Sequence, residues 1–254
     1  MRVLVCVKRV PAPGSKINIT ADGRAVDDTN LGHTTSPHEE CAVEAAAQLV
    51  EQHGGDATVL TLGSTDAEEQ LRYAVSVGMH RGVLLPVDDG EWDPQRTAAA
   101  LTAAITDLEA ADGPFDLVLF GNESADSGGF QVGIRVAHAL GRPMVNGAKG
   151  LRVQDGIAHV EREATSGREA YELPLPAVVG VKEGLNLPRY PTMKGRLASK
   201  KADVASVVPV AEPGGLTMHR LASPPERMTE TIVLGTGPDA AAAVVDVLEE
   251  LGVL

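Results

Sequence analysis

The chain has 254 residues, 43% hydrophobic and 22% charged, enough to bury a substantial core in one large α/β domain or in one domain with an arm. Its 35 acidic residues against 22 basic ones leave a formal charge of −13, which argues against nucleic acid as a main partner because affinity for a polyanion rests on cationic contacts to phosphates. Seven aromatic residues are too few for a base-stacking platform or an aromatic cage, and Cys6 and Cys41 stand apart in apolar runs, which speaks against a disulfide framework or a zinc site.

Residues 2–7 (RVLVCV) form a valine-rich run of the kind buried on both faces of a parallel sheet. Lys8 and Arg9 cut it short of a signal-peptide core, and no stretch approaches the roughly 18 apolar residues of a membrane span, so the expectation is a cytoplasmic protein with no membrane insertion. At Ser36-Pro37-His38-Glu39 a capping serine, a proline at the first helical position and a glutamate three residues after the cap predict a helix running to Gly54-Gly55. Strand 57–62, a second capping box at Thr65-Asp66-Ala67-Glu68 with a helix to Gly78, and strand 82–87 follow. A helix from Asp93-Pro94 to about Ala111, strand 115–120 and a helix from Phe130 to Leu140 complete the alternation. Strands and helices taking turns predict a doubly wound, mostly parallel, Rossmann-like three-layer α/β sheet.

Beyond Gly141 the rhythm breaks. Asp155-Gly156 between two alternating segments predicts a hairpin over 151–162, and 176–181 supplies one more buried strand. A segment punctuated by Pro209, Pro213-Gly214-Gly215 and Pro224-Pro225 predicts an extended arm, ending in a helix from Pro238 to Leu251. The expected division is an α/β nucleotide-binding domain over 1–203, including a loop at 184–201, and a C-terminal arm and helix over 204–254 that packs on another subunit. The G-x-G-x-x-A pattern at 235–240 resembles a dinucleotide fingerprint, but only 17 residues follow Gly237, too few for the second strand and ribose-binding acid the motif needs.

Two segments carry candidate chemistry. The turn Gly121-Asn122-Glu123-Ser124-Ala125-Asp126-Ser127-Gly128-Gly129-Phe130-Gln131-Val132 is small, hydroxyl-rich and glycine-rich, and it enters a helix where backbone N–H groups could meet a phosphate. The same glycines would also serve close helix–sheet packing. Residues 182–201 hold six cations, Lys182, Arg189, Lys194, Arg196, Lys200 and Lys201, and one acid, Glu183, around apolar Met193 and Leu197 in a loop broken by Pro188, Pro191 and Gly195. Such a run reads either as a solvated face or as an apolar anchor ringed by cations for an acidic partner. The seven histidines show no ligand spacing, and His38 reads as a surface residue.

Together these segments resemble the beta subunit of electron-transfer flavoprotein. The resemblance is carried by Val5-Cys6-Val7-Lys8-Arg9-Val10, Glu40-x-Ala42-Val43-Glu44, the 121–133 segment, Ala177-Val178-Val179, Arg189-Tyr190-Pro191-Thr192-Met193-Lys194 and Lys200-Lys201. It implies an obligate heterodimer whose alpha subunit holds most of the FAD, while this chain supplies a wall of that site and binds a structural AMP. Electrons would pass from flavin dehydrogenases, such as the acyl-CoA dehydrogenases of fatty acid oxidation, to a quinone-linked oxidoreductase, with no bond-making catalysis here. By position, the resemblance implies AMP contacts at Cys6, Ser36, Pro37, His38, Glu39, Leu62 and every residue from Gly121 to Val132. It implies dehydrogenase docking by Arg189, Tyr190, Met193, Lys194, Arg196, Leu197, Lys200 and Lys201. Pro11-Ala12-Pro13-Gly14 lacks the tyrosine that approaches flavin in several members, and Met193 stands where leucine or phenylalanine occurs elsewhere. Two other readings stay open: a bifurcating type with FAD in place of AMP that oxidises NADH, and a stand-alone adenine-nucleotide-binding protein.

Overall fold

Unbroken runs of valine and leucine make strands that bury both faces, and those within 2–6, 56–63, 81–86, 117–121 and 177–181 become part of one nine-stranded sheet. The computed structural model describes residues 1–88, 92–225 and 230–254, which fall into two units, Met1–Arg220 and Leu221–Leu254.

The first unit opens with β1 (Arg2–Cys6). A long connection carries β2 (Val10–Pro11), β3 (Asn18–Ile19), β4 (Val26–Asp27) and β5 (His33–Thr34), with β2 pairing antiparallel to β5 and β3 to β4. The winding continues through α1 (Pro37–His53), β6 (Asp56–Gly63), α2 (Glu68–Ser76), β7 (Arg81–Pro86), α3 (Pro94–Asp112), β8 (Leu117–Gly121) and α4 (Val132–Ala139). An antiparallel excursion, β9 (Met144–Gln154), β10 (Ile157–Ala164) and β11 (Gly167–Pro174), precedes β12 (Ala177–Val181), α5 (Met193–Lys200) and β13 (Val204–Ser206).

The strand order is β11-β10-β9-β12-β8-β1-β6-β7-β13. Its centre is parallel: β1 pairs with β6 and β8, β6 with β7, and β12 with β8. Alternate residues of each strand face opposite layers. Val3 and Val5 of β1 join the cluster with Ala42, Ala46 and Leu49 of α1 and Leu71 of α2, whereas Leu4 and Cys6 join Leu101 and Ile105 of α3 and Val136 of α4. The result is the expected three-layer α/β architecture. After β7 the chain returns to the other side of β1 to make β8, so the winding direction reverses between β1 and β8. In open sheets of this kind that reversal leaves a crevice at the carboxyl ends of the two strands.

Five expectations need correction. The second capping box at Thr65-Asp66-Ala67-Glu68 does not form: residues 65–67 make a 3-10 turn without a side-chain cap, and α2 begins at Glu68. The hairpin over 151–162 is part of a three-stranded ribbon. Asp155 and Gly156 do turn it, with φ of 52° and 77°, but the third strand, β11, is masked in sequence by charges. Arg162 and Glu169 lie directly opposite each other and pair at 2.5 Å, a cross-strand contact where an apolar pair would have advertised a strand. The segment around Met193 is helix rather than broken loop: Thr192 caps α5 by accepting the Gly195 N–H at 3.0 Å, and a Cβ on Gly195 would lie 2.1 Å from the Ser76 carbonyl oxygen. Gly195 is therefore a close-packing glycine against the end of α2, and Arg72 donates to the Ser199 carbonyl at 2.7 Å to hold the other end of α5. The helix expected from Phe130 begins at Val132, because Phe130 itself takes a positive φ of 55°. Finally, residues 204–206, read as the start of an extended arm, pair parallel with β7 as an edge strand.

In the second unit a 3-10 turn, Pro238–Ala240, leads into α6 (Ala241–Glu250). Residues 231–234 form no strand, so the G-x-G-x-x-A pattern lacks the strand–turn–helix setting of a dinucleotide fingerprint. Among the described residues no helix is long and apolar enough to cross a membrane.

Candidate functional site

The switch-point crevice is bounded by the end of β1, the end of β8 and the first turn of α1. Cys6 is the last residue of β1 and is paired in register with Phe120, one residue before the end of β8. Ser36 is fully buried at the start of α1 and forms a reciprocal capping box: its Oγ accepts the Glu39 N–H at 3.2 Å, and Glu39 Oε2 accepts the Ser36 N–H at 2.8 Å. A Cβ on Gly121 would stand 2.8 Å from Glu39 Cγ, so glycine at this strand end lets the helix start approach the sheet.

Burial dominates the electrostatics here. It raises the Glu39 carboxyl to about 7, against the opposing hydrogen bonds from Ser36 and the influence of Lys8. Burial, with the Glu39 charge behind it, also raises the Cys6 thiol far above its ordinary value, so Cys6 stays neutral and serves as an apolar wall rather than a nucleophile. Both cysteines are unpaired and buried.

The 121–131 turn is folded by its own small side chains. Asn122 N–H donates to the Val181 carbonyl at 2.7 Å, Gly128 N–H to the Ser124 carbonyl at 3.0 Å, and the Ser124 and Ser127 hydroxyls lie 2.8 Å apart. Lys8 Nζ reaches across from the end of β1 to Asp126 at 2.6 Å. Burial works against the Asp126 charge, but the Lys8 cation and hydrogen bonds from Lys8, Ser127 and Ser124 outweigh it and hold the carboxyl below its usual range. The turn delivers the chain to α4, whose N-terminus has no side-chain cap. Ser36, Asp93 and Thr192 cap α1, α3 and α5, whereas α2 and α6, like α4, have no side-chain cap. The first-turn N–H groups of α4 thus keep their capacity for an anion, beside glycines that let one come close.

The structure brings residues 6, 36–39 and 121–132 to this one end of the sheet. Leu62 lies on the adjacent strand, two residues beyond Leu60, the register partner of Cys6. His38 is not the free surface residue that its pattern suggested. Its side chain is 15% exposed, its Nδ1 accepts the Glu183 N–H at 2.7 Å, and its Nε2 lies 3.4 Å from Glu123 Oε1.

The basic segment forms a second feature. Tyr190, Met193 and Leu197 are 90%, 75% and 60% exposed, and Lys194, Arg196, Lys200 and Lys201 surround them, also exposed. A groove of about 390 Å³ between α2 and α5 adds Tyr73 and Ser76 to this face. Arg189 differs from the other cations, since it forks onto Glu44 of α1 at 2.8 and 3.1 Å and also bonds Glu51. Glu44 is buried, with only 5% of its side chain exposed. Sequence reasoning did not find this pairing, nor the Lys8–Asp126 pair or the place of Tyr73. The first two join residues more than 100 positions apart, and no local spacing announces them.

A doubly wound α/β sheet with a crevice at its switch point, and with a cationic apolar helix on its flank, is a class of scaffold that serves many activities rather than one. Comparison with known proteins narrows the class. Residues 24–212 match the electron transfer flavoprotein domain. The chain is 35% identical over 228 residues to the electron transfer flavoprotein subunit beta of Syntrophomonas wolfei, covering 89% of this chain and 87% of that protein. It is 31% identical over 258 aligned positions to the subunit of the same name from Bacillus subtilis (98% and 97%), and 35% identical over 219 to that of Mycobacterium tuberculosis (84% and 80%). The chain belongs to the electron transfer flavoprotein beta-subunit family.

Proposed function

We propose that this chain is the beta half of a heterodimeric electron carrier of the cytoplasm. In this reading an alpha subunit holds most of the FAD, and the flavin supplies the electron-accepting chemistry. The chain itself binds AMP in the switch-point crevice and presents α5 to flavin dehydrogenases, acyl-CoA dehydrogenases among them; a quinone-linked oxidoreductase then takes the electrons. The observation that carries the reading is the crevice itself, in which a strand-end glycine, a compact Ser/Gly turn and the uncapped start of α4 converge beside α1.

The residues present fit an adenine nucleotide. The first turn of α4 offers N–H donors for the phosphate, Lys8 neutralises Asp126, one of the two acids of the turn, and Cys6 and Leu62 give an apolar floor. The chain's work is to bind and orient; neither the neutral Cys6 thiol nor the capping Glu39 is placed to transfer a group. The apolar residues of the 207–234 stretch, with Val208, Leu216, Ile232 and Val233 between 63% and 86% exposed, support an obligate partner that covers them.

The test is to purify the chain with its alpha subunit, release the bound small molecules and identify them chromatographically. One AMP and one FAD per heterodimer is the expected outcome. A second FAD in place of AMP would favour the bifurcating type, and a stable monomer that turns over nucleotide alone would overturn the proposal.

A further inference from the structure

Residues 183–189, the root of the docking segment, run along α1 with one clamp for each turn of the helix. Glu183 N–H donates to His38 Nδ1 at 2.7 Å. Three residues further along both elements, Asn186 Nδ2 donates to the Cys41 carbonyl at 2.9 Å, and the Cys41 thiol lies 3.6 Å from the Asn186 carbonyl. Three further again, Arg189 N–H and Nε–H donate to Glu44 Oε2 at 3.1 and 2.8 Å. Three residues of α-helix advance about 4.5 Å, so the strap must coil to keep this step, and the Leu185 N–H to Lys182 carbonyl bond at 3.2 Å coils it. Lys149 Nζ holds the Glu183 carbonyl from β9 at 2.5 Å. The docking helix α5 is therefore carried by α1, the same helix whose first turn borders the crevice.

Of the three clamps, the one at His38 also touches the crevice turn. Because Nδ1 accepts a hydrogen bond, the ring proton is placed on Nε2, where it faces Glu123 Oε1 at 3.4 Å. One imidazole thus spans the turn that would hold the nucleotide and the backbone that leads to the docking helix. Fixing Glu123 orients the ring, and the ring orients the Glu183 N–H.

We infer that His38 is a positioning residue that couples the two sites, so that a nucleotide in the crevice and a dehydrogenase on α5 each strengthen the binding of the other. This rests on the function proposed above. Coupling of this kind is reciprocal, and a roughly five-fold effect, at the low end of its usual range, is what one bridging side chain should carry.

The experiment uses the heterodimer stripped of its crevice ligand, with AMP added back. Hydrogen–deuterium exchange is followed by mass spectrometry, and KM and kcat are measured for a dehydrogenase. In the wild type, AMP is expected to slow exchange at 183–189 as well as at 121–133 and to lower KM roughly five-fold with kcat unchanged. In His38→Phe, which keeps a ring but neither nitrogen, and with AMP raised to saturate the variant as judged by protection of 121–133, that protection is expected to stop at 121–133 and KM to ignore AMP. His38→Asn keeps an acceptor for the Glu183 N–H but is too short to reach Glu123, so it should restore the basal protection of 183–189 without restoring the response to AMP. AMP binding that leaves 183–189 unchanged in the wild type would overturn the coupling alone, as would a His38→Phe variant that responds like the wild type. Failure of AMP to bind would overturn both the coupling and the crevice assignment.

Discussion

Glu39 should make the folded protein less stable as pH rises through the neutral range, and Glu39→Gln should abolish that loss. Burial raises the folded-state carboxyl from an ordinary 4.5 to about 7, so the folded chain binds a proton that the unfolded chain has released between those values. Stability is therefore full below about 4.5, falls as pH climbs toward 7 and then levels off. At roughly 1.4 kcal/mol for each tenfold change in proton affinity, the full span amounts to about 3 kcal/mol. Glutamine keeps an oxygen for the Ser36 N–H, so the capping box survives while the titration disappears. Urea unfolding of the heterodimer at a series of pH values from 4.5 to 8 should show the variant equal to wild type at the acid end and more stable by up to about 3 kcal/mol at the alkaline end. An unchanged slope between pH 5 and 7 in the variant would rule out Glu39 as its source and assign the pH dependence to other groups.

Arg189→Ala leaves the buried Glu44 carboxylate without its forked partner, and since the guanidinium is about one-third exposed the cost should be roughly 2–3 kcal/mol, read as a shift in urea midpoint at constant slope. Gly128 has φ of +55°, so Gly128→Val should expel the crevice nucleotide, whereas Gly129→Ala, whose Cβ would sit 3.6 Å from Pro94 Cγ, should retain it; equilibrium dialysis with AMP distinguishes them. Reversing the charge of the exposed Lys194 and Arg196 should flatten the ionic-strength dependence of the association rate with a dehydrogenase, measured by stopped flow, while leaving bound flavin unchanged.

The central winding was legible because each piece carried a local signature. The apolar runs at 2–7, 57–62 and 115–120 could only be buried strands, and Ser36-Pro37-His38-Glu39 spelled out a helix start that the structure reproduces bond for bond. What escaped has a common cause. β11 does turn Tyr171 and the buried Leu173 toward the core, but Arg168, Glu169 and Glu172 stand between and beside them, so its period was drowned by charge. Gly195 looks like a helix breaker until the Ser76 carbonyl lies against it, and β13 becomes a strand only because β7 offers an edge. In the candidate site, the turn at 121–132 was visible from its composition. Long-range pairs decide the rest: Lys8 with Asp126, Arg189 with Glu44, and His38 between Glu123 and Glu183. Their partners lie between 85 and 145 residues apart, so no window along the chain contains both members.

Met193 is the point at which the proposed carrier role is most exposed to test. Its side chain stands 75% exposed on α5, and truncating an anchor that is desolvated on docking typically costs about 2 kcal/mol or more, whereas the surrounding cations act mainly on encounter. The measurement is stopped-flow reduction of the heterodimer's flavin by a dehydrogenase, wild type against Met193→Ala, with dithionite reduction and flavin content as controls. A docking role for Met193 predicts electron transfer slowed by tenfold or more at limiting dehydrogenase concentration, with both controls unchanged. Transfer at the wild-type rate from every dehydrogenase tried would contradict it and return the basic segment to a solvated face.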